Sequence, residues 1–306
     1  MILVTGATGF LGKRVCKQLQ KANLEYEATS LSLGTDLRNE EQTLDLFEKI
    51  RPYYVMHCAS YVGGIQFGLK YAGEIYRNGL LMQVNLFEAC RKYNVKRLVN
   101  PIANCAYPGE ATFFKESEFW DGKCHDSVLT YGMVRKMSYI GALAYQKQYG
   151  LDVVNLIPPN MYGPDDHFEP ERSHALGALI VKFVEAKEKG IPEVCIWGTG
   201  APIREWMHVD DGAAAMIKAL NIAPYIDPIN IGIGKGISIK DTAELIGKIV
   251  GYKGKLVFDT SKPDGAMCKT LDGSLGEKLL KWKPNIDFED GLKETIAWFT
   301  QNKNRF

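Results

Sequence analysis

The sequence predicts an α/β fold, in which a doubly wound parallel sheet is followed by a smaller C-terminal lobe. In the first half of the 306 residues, short apolar runs alternate with amphipathic stretches of helical period. Strands buried on both faces form near-continuous apolar runs, as in parallel sheets covered by helices. After Pro158-Pro159 this alternation stops, and loops rich in glycine, proline and charge follow. We therefore predict domains at 1–164 and 165–306, with some return of the second segment to the first domain.

The predicted elements of the first domain alternate along the chain. The apolar runs are bounded by turn-forming residues, whereas the helical stretches repeat apolar residues every three to four positions. The pattern predicts strands at 2–4, 25–30, 53–58, 97–100 and 152–157, and helices at 11–21, 44–50, 76–93 and 131–149.

Composition argues against several functional classes. Lysine plus arginine (37) nearly cancels aspartate plus glutamate (36), so no net field favours nucleic acid or an anionic membrane. Seven scattered cysteines without a CxxC pair predict neither a disulfide framework nor a zinc site. No apolar run approaches the roughly 20 residues of a membrane span, and the chain opens on a strand rather than a signal peptide. We expect a cytoplasmic protein without metal, membrane or nucleic-acid partners.

A glycine-rich turn lies between the first strand and the first helix. Its first glycine allows a tight turn, its second lets the backbone approach a pyrophosphate, and its third lets the helix pack on the sheet. The N-terminus of the helix then faces the anion. This arrangement predicts a Rossmann-type dinucleotide site. The residues of the turn that we expect at the cofactor are Gly6, Thr8, Gly9, Phe10, Leu11 and Gly12.

The choice between NAD and NADP depends on the end of the second strand. NAD-selective folds place an acidic side chain there, but 28–30 is Ala-Thr-Ser and the next acid is Asp36. Lys13 and Arg14 follow the glycine turn. They either meet a 2′-phosphate or are solvated helix residues. The sequence favours NADP and leaves NAD open.

The GxxGxxG spacing and a tyrosine-led helix resemble the extended short-chain dehydrogenase/reductase superfamily. Tyr131 opens this helix, and in the superfamily a lysine follows the tyrosine at the fourth position. Here the fourth position is Arg135, and Lys136 falls one place further. A helix turns about 100° per residue, so we expect Lys136 not to reach what a lysine at the fourth position reaches.

Further segments resemble the GDP-L-fucose synthase branch, the GDP-4-keto-6-deoxymannose epimerase/reductases. The resemblance covers almost the whole chain and keeps the segments in order. The segments are Val62-Gly63-Gly64-Ile65, Asn104-Cys105-Ala106-Tyr107-Pro108, a loop from Asn160 to Ser173-His174, Trp197-Gly198-Thr199-Gly200, Arg204-Glu205-Trp206-Met207-His208-Val209-Asp210-Asp211 and Lys262-Pro263-Asp264-Gly265.

The resemblance implies a two-stage reaction. Cys105 as base and His174 as acid would epimerise the carbons beside a 4-keto group, and NADPH would then deliver hydride while Tyr131 supplies a proton. Inversion needs a base and an acid on opposite faces, and cysteine and histidine have reference pKa values of about 8.5 and 6.5. The plainer interpretations are a small buried residue for Cys105 and an exposed surface residue for His174.

Two positions depart from the superfamily's reductive centre. Ala103 occupies the place of a serine that donates to the ketone oxygen, and alanine has no donor. Asn104 has one, but neighbouring side chains on a strand point to opposite faces. Arg135 keeps the positive charge on the lysine's helix face, although a guanidinium is bulkier and planar. The alternatives are therefore an epimerase-only or altered-substrate enzyme, and a catalytically silent regulator that binds NADP and a nucleotide sugar.

The resemblance also implies the remaining contacts and a homodimer formed through the 131–149 helix. Lys182 is equally well a solvated helix residue, and Trp197 either stacks on the base or fills the core of the lobe. We expect the cofactor at Asp36, Leu37, Ala59, Tyr131, Arg135, Pro158, Asn160 and Met161. We expect the nucleotide sugar, which the branch implies is GDP-linked, at Asn160, His174, Lys182, Trp197, Arg204, Lys262 and Lys269.

Overall fold

The computed structural model describes residues 1–262 and 264–306, and Pro263 of the Lys262–Gly265 segment lies outside the described residues. The strands are β1 (Ile2–Thr5), β2 (Tyr26–Thr29), β3 (Tyr54–His57), β4 (Arg97–Pro101), β5 (Val153–Ile157), β6 (Asn160–Tyr162), β7 (Glu193–Trp197), β8 (Ile203–Arg204), β9 (Trp206–His208), β10 (Ile229–Asn230), β11 (Ile237–Ser238), β12 (Lys255–Asp259) and β13 (Cys268–Lys269).

Helices alternate with these strands through the first half of the chain. They are α1 (Phe10–Lys21), α2 (Glu40–Ile50), α3 (Ile65–Lys70), α4 (Ala72–Lys92), α5 (Leu129–Tyr149), α6 (Ala175–Lys189), α7 (Val209–Ala219), α8 (Ile239–Val250), α9 (Ser274–Leu280) and α10 (Phe288–Asn302). Short 3₁₀ turns lie at Leu31–Leu33, Asn104–Ala106, Glu116–Glu118, Asp126–Val128 and Lys303–Arg305.

A six-stranded sheet in the order β2-β1-β3-β4-β5-β10 forms the centre, and every neighbouring pair in it is parallel. The predicted parallel α/β sheet is confirmed. All four predicted helices begin earlier than predicted, and the largest differences are at α2, which begins at Glu40, and α4, which begins at Ala72. The Asn39 side chain caps α2 by accepting a hydrogen bond from the Gln42 N–H at 3.0 Å. Polar first turns of this kind carry no apolar period, which is why periodicity placed the starts too late.

The connections create a crevice between the carboxyl ends of β1 and β3. The chain leaves β1 for β2 on one side and then crosses to β3 on the other side. Such a switch point is where open α/β sheets bind ligands. Beneath it, the Thr5 hydroxyl and His57 Nδ1 lie 2.9 Å apart. Burial and the charge of Arg135 lower the pKa of His57 to about 3, so this histidine is a neutral core residue.

Apolar cores cover both faces of the sheet. One packs the sheet against α1 and α7, a second packs its other face against α2, α4 and α5, and a third holds the C-terminal lobe together around α6, α8 and α10. The strand β10 extends the main sheet beside β5, so part of the later chain packs on the earlier part. The division at residue 164 itself stays a prediction.

The described residues contain no helix long and apolar enough to cross a membrane. Within the same residues, no three His, Cys, Asp or Glu side chains come together as a group that could hold a metal ion.

Candidate active site

The glycine turn is shaped by close backbone approaches. Gly6 has a φ of +63°, and a Cβ on it would lie 2.5 Å from the Ala59 backbone nitrogen. A Cβ on Gly12 would lie 2.1 Å from the Gly6 carbonyl oxygen. Gly9 precedes α1 without a side-chain cap, which leaves the first N–H groups of the helix for an anion. These positions need glycine, and the turn fits a pyrophosphate.

The end of β2 presents hydroxyl groups where an NAD-selective site presents a carboxylate. Thr8 Oγ1 lies 3.0 Å from Ser30 Oγ and 2.8 Å from Ser32 Oγ. Asp36, the next acid, is bound by Arg38 through two hydrogen bonds of 2.8 and 2.7 Å. The hydrogen bond from Arg38 lowers the pKa of Asp36 and keeps its carboxylate paired. The geometry is therefore compatible with a dinucleotide whose ribose is phosphorylated.

Lys13 and Arg14 turn toward the segment after β6. Lys13 Nζ lies 2.8 Å from Asp165 Oδ1, and Arg14 Nη2 donates to Asp165 at 3.0 Å and to the Pro164 carbonyl at 2.9 Å. The interpretation of Arg14 as a solvated helix residue is wrong, because it is only 6% exposed. Both cations are paired with the Asp165 carboxylate, and the buried Nε of Arg14 has no hydrogen-bond partner among the described residues.

Tyr131 and Arg135 face a small cavity at the carboxyl edge of the sheet, which Ala59 and Ser60 also line. The guanidinium carbon of Arg135 lies 5.1 Å from the Tyr131 ring centroid. Arg135 donates to the Ser60 hydroxyl and, at 3.4 Å, to the Pro101 carbonyl. Its buried Nε has no hydrogen-bond partner within residues 1–262 and 264–306. This orphaned donor leaves a place for an acceptor from a bound group, and the cavity beside it has room for about one water molecule.

Lys136 points away from this cavity. Its ammonium donates to the Phe119 carbonyl at 2.8 Å. The expectation that Lys136 does not replace a lysine at the position of Arg135 agrees with this geometry.

The end of β4 offers no hydroxyl beside Tyr131. Ala103 is extended and precedes the Asn104–Ala106 turn. Asn104 is 5% exposed, and its amide donates to Asn160 Oδ1 at 3.3 Å. The Asn104 amide thus has one of its two N–H donors engaged by Asn160, and its oxygen accepts from the Cys105 thiol at 3.6 Å.

Cys105 lies against the first turn of α5 and contacts a cation. The Lys269 ammonium is 3.8 Å from the Cys105 sulfur. A Cβ on Gly132 would lie 2.4 Å from the Cys105 carbonyl oxygen, so Cys105 and the Tyr131–Gly132 turn are in close contact. Cys105 is partly accessible, which excludes its interpretation as a small buried residue.

His174 immediately precedes α6 at the mouth of the same cleft. Its side chain is exposed to solvent, in agreement with the plainer interpretation of a surface residue. Desolvation, followed by the charges of His167, Lys269 and Arg172, lowers the pKa of His174 to about 4. The ring is therefore neutral near pH 7 and binds a further proton only weakly. To act as the acid, it needs a bound anion that offsets the surrounding positive charge.

A second cationic group lies at the far end of the cleft. Trp197 is 52% exposed, so its interpretation as a core residue of the lobe is wrong. Lys182 and Lys262 each place their ammonium 5.7 Å from the Trp197 ring centroid. Lys182 also donates to the Cys195 carbonyl at 3.0 Å. Burial lowers the pKa of the half-buried Arg204, whose charge lies near Cys268, Cys105 and Asp264.

Two further side chains of the site did not emerge from the sequence. Ser60 accepts a hydrogen bond from Arg135, and Arg172 donates to the Val62 carbonyl at 3.3 Å. Ser60 follows the predicted strand at the sheet edge that carries the glycine turn, and this position was the available signal. Arg172 sits two residues before His174, where its positive charge acts on the histidine.

Comparisons with known proteins agree with this architecture. A model of the NAD dependent epimerase/dehydratase family matches residues 2–232. GDP-L-fucose synthase 1 of Arabidopsis thaliana is 34% identical over 304 residues, covering 98% of this chain and 93% of the relative. A GDP-L-fucose synthetase from Naegleria fowleri bound to NADP has a TM-score of 0.90 at 28% identity, covering 99% of this chain and 94% of that one. A GDP-6-OMe-4-keto-L-xylo-heptose reductase from C. jejuni has a TM-score of 0.90 at 28% identity, covering 98% and 97%.

The family model covers more than half of the chain, and the Arabidopsis relative matches nearly all of it. The glycine turn and the tyrosine helix, on which the resemblance to the extended short-chain dehydrogenases rests, lie inside the matched residues. The resemblance is confirmed: the chain belongs to the NAD dependent epimerase/dehydratase family.

Proposed function

We propose that this protein is an NADP-dependent epimerase/reductase of a GDP-linked 4-keto-deoxy sugar. The observation that carries the proposal is the contact between Lys269 and Cys105, in a cleft that also contains His174 and Tyr131. The GDP-sugar enzymes among the similar proteins support the substrate class. The NADP-bound synthetase structure supports the cofactor.

The cofactor would lie across the β1–β3 crevice. The glycine turn would hold the pyrophosphate, and the orphaned Nε of Arg135 would donate to the nicotinamide end. When bound, NADPH supplies the hydride that reduces the 4-ketone. Thr8 and its neighbouring serine hydroxyls are the polar groups nearest to the expected ribose position.

Epimerisation is assigned to the Cys105 side of the cleft. Cys105, whose sulfur lies 3.8 Å from the Lys269 ammonium, would remove a proton from a carbon next to the ketone. His174 would return a proton to the opposite face of that carbon, which inverts the centre and leaves the ketone intact. The diphosphate of the substrate would supply the negative charge that raises the proton affinity of His174.

Reduction is assigned to Tyr131, whose hydroxyl would donate a proton to the ketone oxygen. Arg135 lies over the tyrosine ring and would hold it in place. Ala103 cannot add the second hydrogen bond that a serine would make. The loss of one oxyanion donor typically lowers a rate by about 100- to 1,000-fold. We therefore expect reduction to be slow in comparison with proton exchange.

The nucleotide would bind at the far end of the cleft. Arg204 suits a diphosphate because a guanidinium forms paired, charge-assisted hydrogen bonds. Trp197, with Lys182 and Lys262 beside its ring, offers an exposed face on which a base can stack. Guanine is inferred from the similar enzymes alone.

The assembly we infer is a homodimer through α5. Met133, Met137 and Ile140 are 43%, 48% and 40% exposed, and they lie along one side of this helix. An apolar helix face of this kind usually marks a protein interface. A dimer would bury these side chains, and size-exclusion chromatography with light scattering measures the mass directly.

A second candidate, a reductase or epimerase of an altered sugar, is favoured by Ala103 and by the similarity to the C. jejuni heptose reductase. In this case only one of the two chemical stages would occur. A catalytically silent binder of NADP and a nucleotide sugar is the third candidate. It would keep the glycine turn and the cationic nucleotide end without turnover.

One incubation separates these candidates. The protein is mixed with GDP-4-keto-6-deoxymannose and NADPH in heavy water, and the products are followed by NMR. Deuterium beside the ketone together with a reduced carbon 4 supports the bifunctional enzyme. Deuterium alone supports an epimerase, and reduction alone supports a reductase. Binding without either change supports the silent binder.

A further inference from the structure

Lys136 is a buried cation outside the cleft described above. It is only 4% exposed. Its ammonium donates to the Phe119 carbonyl at 2.8 Å and to the Gly122 carbonyl at 3.4 Å. The same nitrogen lies 5.1 Å from the Phe119 ring centroid and 4.9 Å from the Trp120 ring centroid. Two carbonyls and two aromatic faces therefore surround this cation.

A buried ammonium is costly unless its donors are satisfied. Here, both hydrogen-bond acceptors are backbone carbonyls, and the aromatic faces add cation–π attraction. An apolar side chain of the same length would fill this space without desolvating a charge. What the ammonium adds is a set of directed contacts to two carbonyls, and these contacts fix the path of the backbone from Phe119 to Gly122.

The two ends of the segment 109–124, which contains these carbonyls, are joined to each other, and its last residue is joined to the turn that carries Cys105. The Gly109 N–H donates to the Lys123 carbonyl at 2.8 Å. The Cys124 thiol donates at 3.5 Å to the carbonyl of Ala106, the residue after Cys105.

The middle of the same segment is attached to the strand that carries Lys269. The Phe114 N–H donates at 2.8 Å to the carbonyl of Thr270, the residue after Lys269. The Tyr107 ring stacks on the Phe114 ring at 4.7 Å and meets the Phe119 ring edge-on at 5.3 Å. A single packed segment thus joins the Cys105 turn, the Lys269 strand and the cation of Lys136.

We propose that Lys136 is a positioning residue, which holds the segment 109–124 against α5 and so keeps the Lys269 ammonium beside the Cys105 thiol. The proposal rests on the proposed function only for the role of Cys105 as a base. The effect of Lys136 on the placement of Lys269 beside Cys105 is present in the protein without any substrate.

The test measures alkylation of Cys105 by iodoacetamide in the full-length protein, at one fixed pH and without sugar or cofactor. Lys269→Met measures how much the alkylation rate depends on the cation itself. It should slow alkylation about threefold or more, since thiolates are the reactive form. We expect Lys136→Met to slow it in the same direction by at least about twofold. Lys136→Arg keeps the charge and should restore most of the rate, and Lys147→Met, at an exposed position of the same helix, should leave it unchanged.

Two other cysteines serve as internal references in each digest. Cys195 is exposed and should react equally in all variants, whereas Cys90 is 0% exposed and reacts only on unfolding. A wild-type rate at Cys105 in Lys136→Met, with Cys90 protected, overturns the proposal. If Lys136→Met exposes Cys90, the same criterion applies to Lys136→Gln, which removes the charge and keeps an amide donor. These alkylation rates are measured without sugar, so a wrong assignment of the sugar does not change them. Failure of the proposed function can therefore be told apart from failure of this proposal.

Discussion

The Cys105 side of the cleft has a cation in contact with its reactive group, whereas the Tyr131 side lacks a donor at Ala103. Lys269 lies 3.8 Å from the Cys105 sulfur. On the other side, Arg135 lies over the Tyr131 ring, and Ala103 has a methyl group where the superfamily has a serine hydroxyl. On the proposed assignment, the thiol for proton transfer has its cation in place, while the groups for reduction are one hydrogen bond short.

Single positions such as Ala103 can therefore change the groups available for a reaction while the backbone around them keeps its arrangement. α5 still begins beside the Cys105 turn, because Gly132 allows the close approach. Arg135 still reaches the sheet edge through Ser60. The two stages of the proposed reaction should therefore respond separately to substitution. Each of the following predictions tests whether they do.

The largest effect is expected from Cys105→Ala. Without a base, deuterium incorporation beside the ketone should fall by about 1,000-fold, at the upper part of the range for a lost acid–base group. NMR in heavy water measures this rate. Cys195→Ala, which removes an exposed thiol elsewhere, is the matched control. Exchange that persists at more than a tenth of the wild-type rate in Cys105→Ala contradicts the assignment.

The next effect is a gain in Ala103→Ser. A hydroxyl at this position restores a donor to the ketone oxygen, and we expect reduction to rise by about 100-fold. NADPH absorbance follows the rate. Ala103→Cys, a side chain of similar size with a weak donor, should gain little. An unchanged reduction rate in a folded Ala103→Ser protein rules out a reductive centre that needs only this hydrogen bond.

A smaller effect is expected from Arg135→Lys. A single ammonium cannot keep the contacts of Arg135 to both Ser60 and Pro101, and we expect NADPH affinity to fall by about 3- to 10-fold, or roughly 1 kcal/mol. Quenching of protein fluorescence by NADPH gives the affinity. Proton exchange should stay within about twofold of wild type. An equal loss of both would show that the two sides of the cleft are coupled.

The smallest effect concerns the titration of His174. Its pKa of about 4 lies below the reference value, so the ring should stay neutral from pH 5 to 8 in the free protein. Arg172→Met removes a nearby positive charge and should raise this pKa by a few tenths. NMR of the histidine ring protons measures both values. A midpoint near 6.5 in the wild-type protein would remove the physical basis for a neutral His174.

Much of the fold was predictable because its signals are local. The apolar period marked the strands of the parallel sheet, and the glycine turn marked the phosphate site. The edge strand β10 was missed because a strand of two residues, Ile229–Asn230, carries no period. The return of α7 to pack on α1 depends on tertiary contacts that no short window contains.

The site was predictable as a set of residues but not as a set of contacts. Cys105 and Lys269 emerged from separate motifs, and their contact joins positions 164 residues apart. The ion pair between Arg14 and Asp165 likewise spans 151 residues, so the sequence alone could not show that Arg14 is paired. Lys136 was correctly excluded from the cofactor cavity by helix geometry, yet its aromatic and carbonyl surroundings had no local signal.

Whether Ala103 weakens reduction and spares proton exchange is tested by the ratio of two initial rates in one sample. Wild-type protein, GDP-4-keto-6-deoxymannose and NADPH are mixed in heavy water, and deuterium incorporation and carbon-4 reduction are timed together. We expect incorporation to exceed reduction by about 100-fold or more, since one donor is missing from the reductive side alone. Reduction that keeps pace with incorporation would contradict the claim that Ala103 weakens one half of the cleft and spares the other.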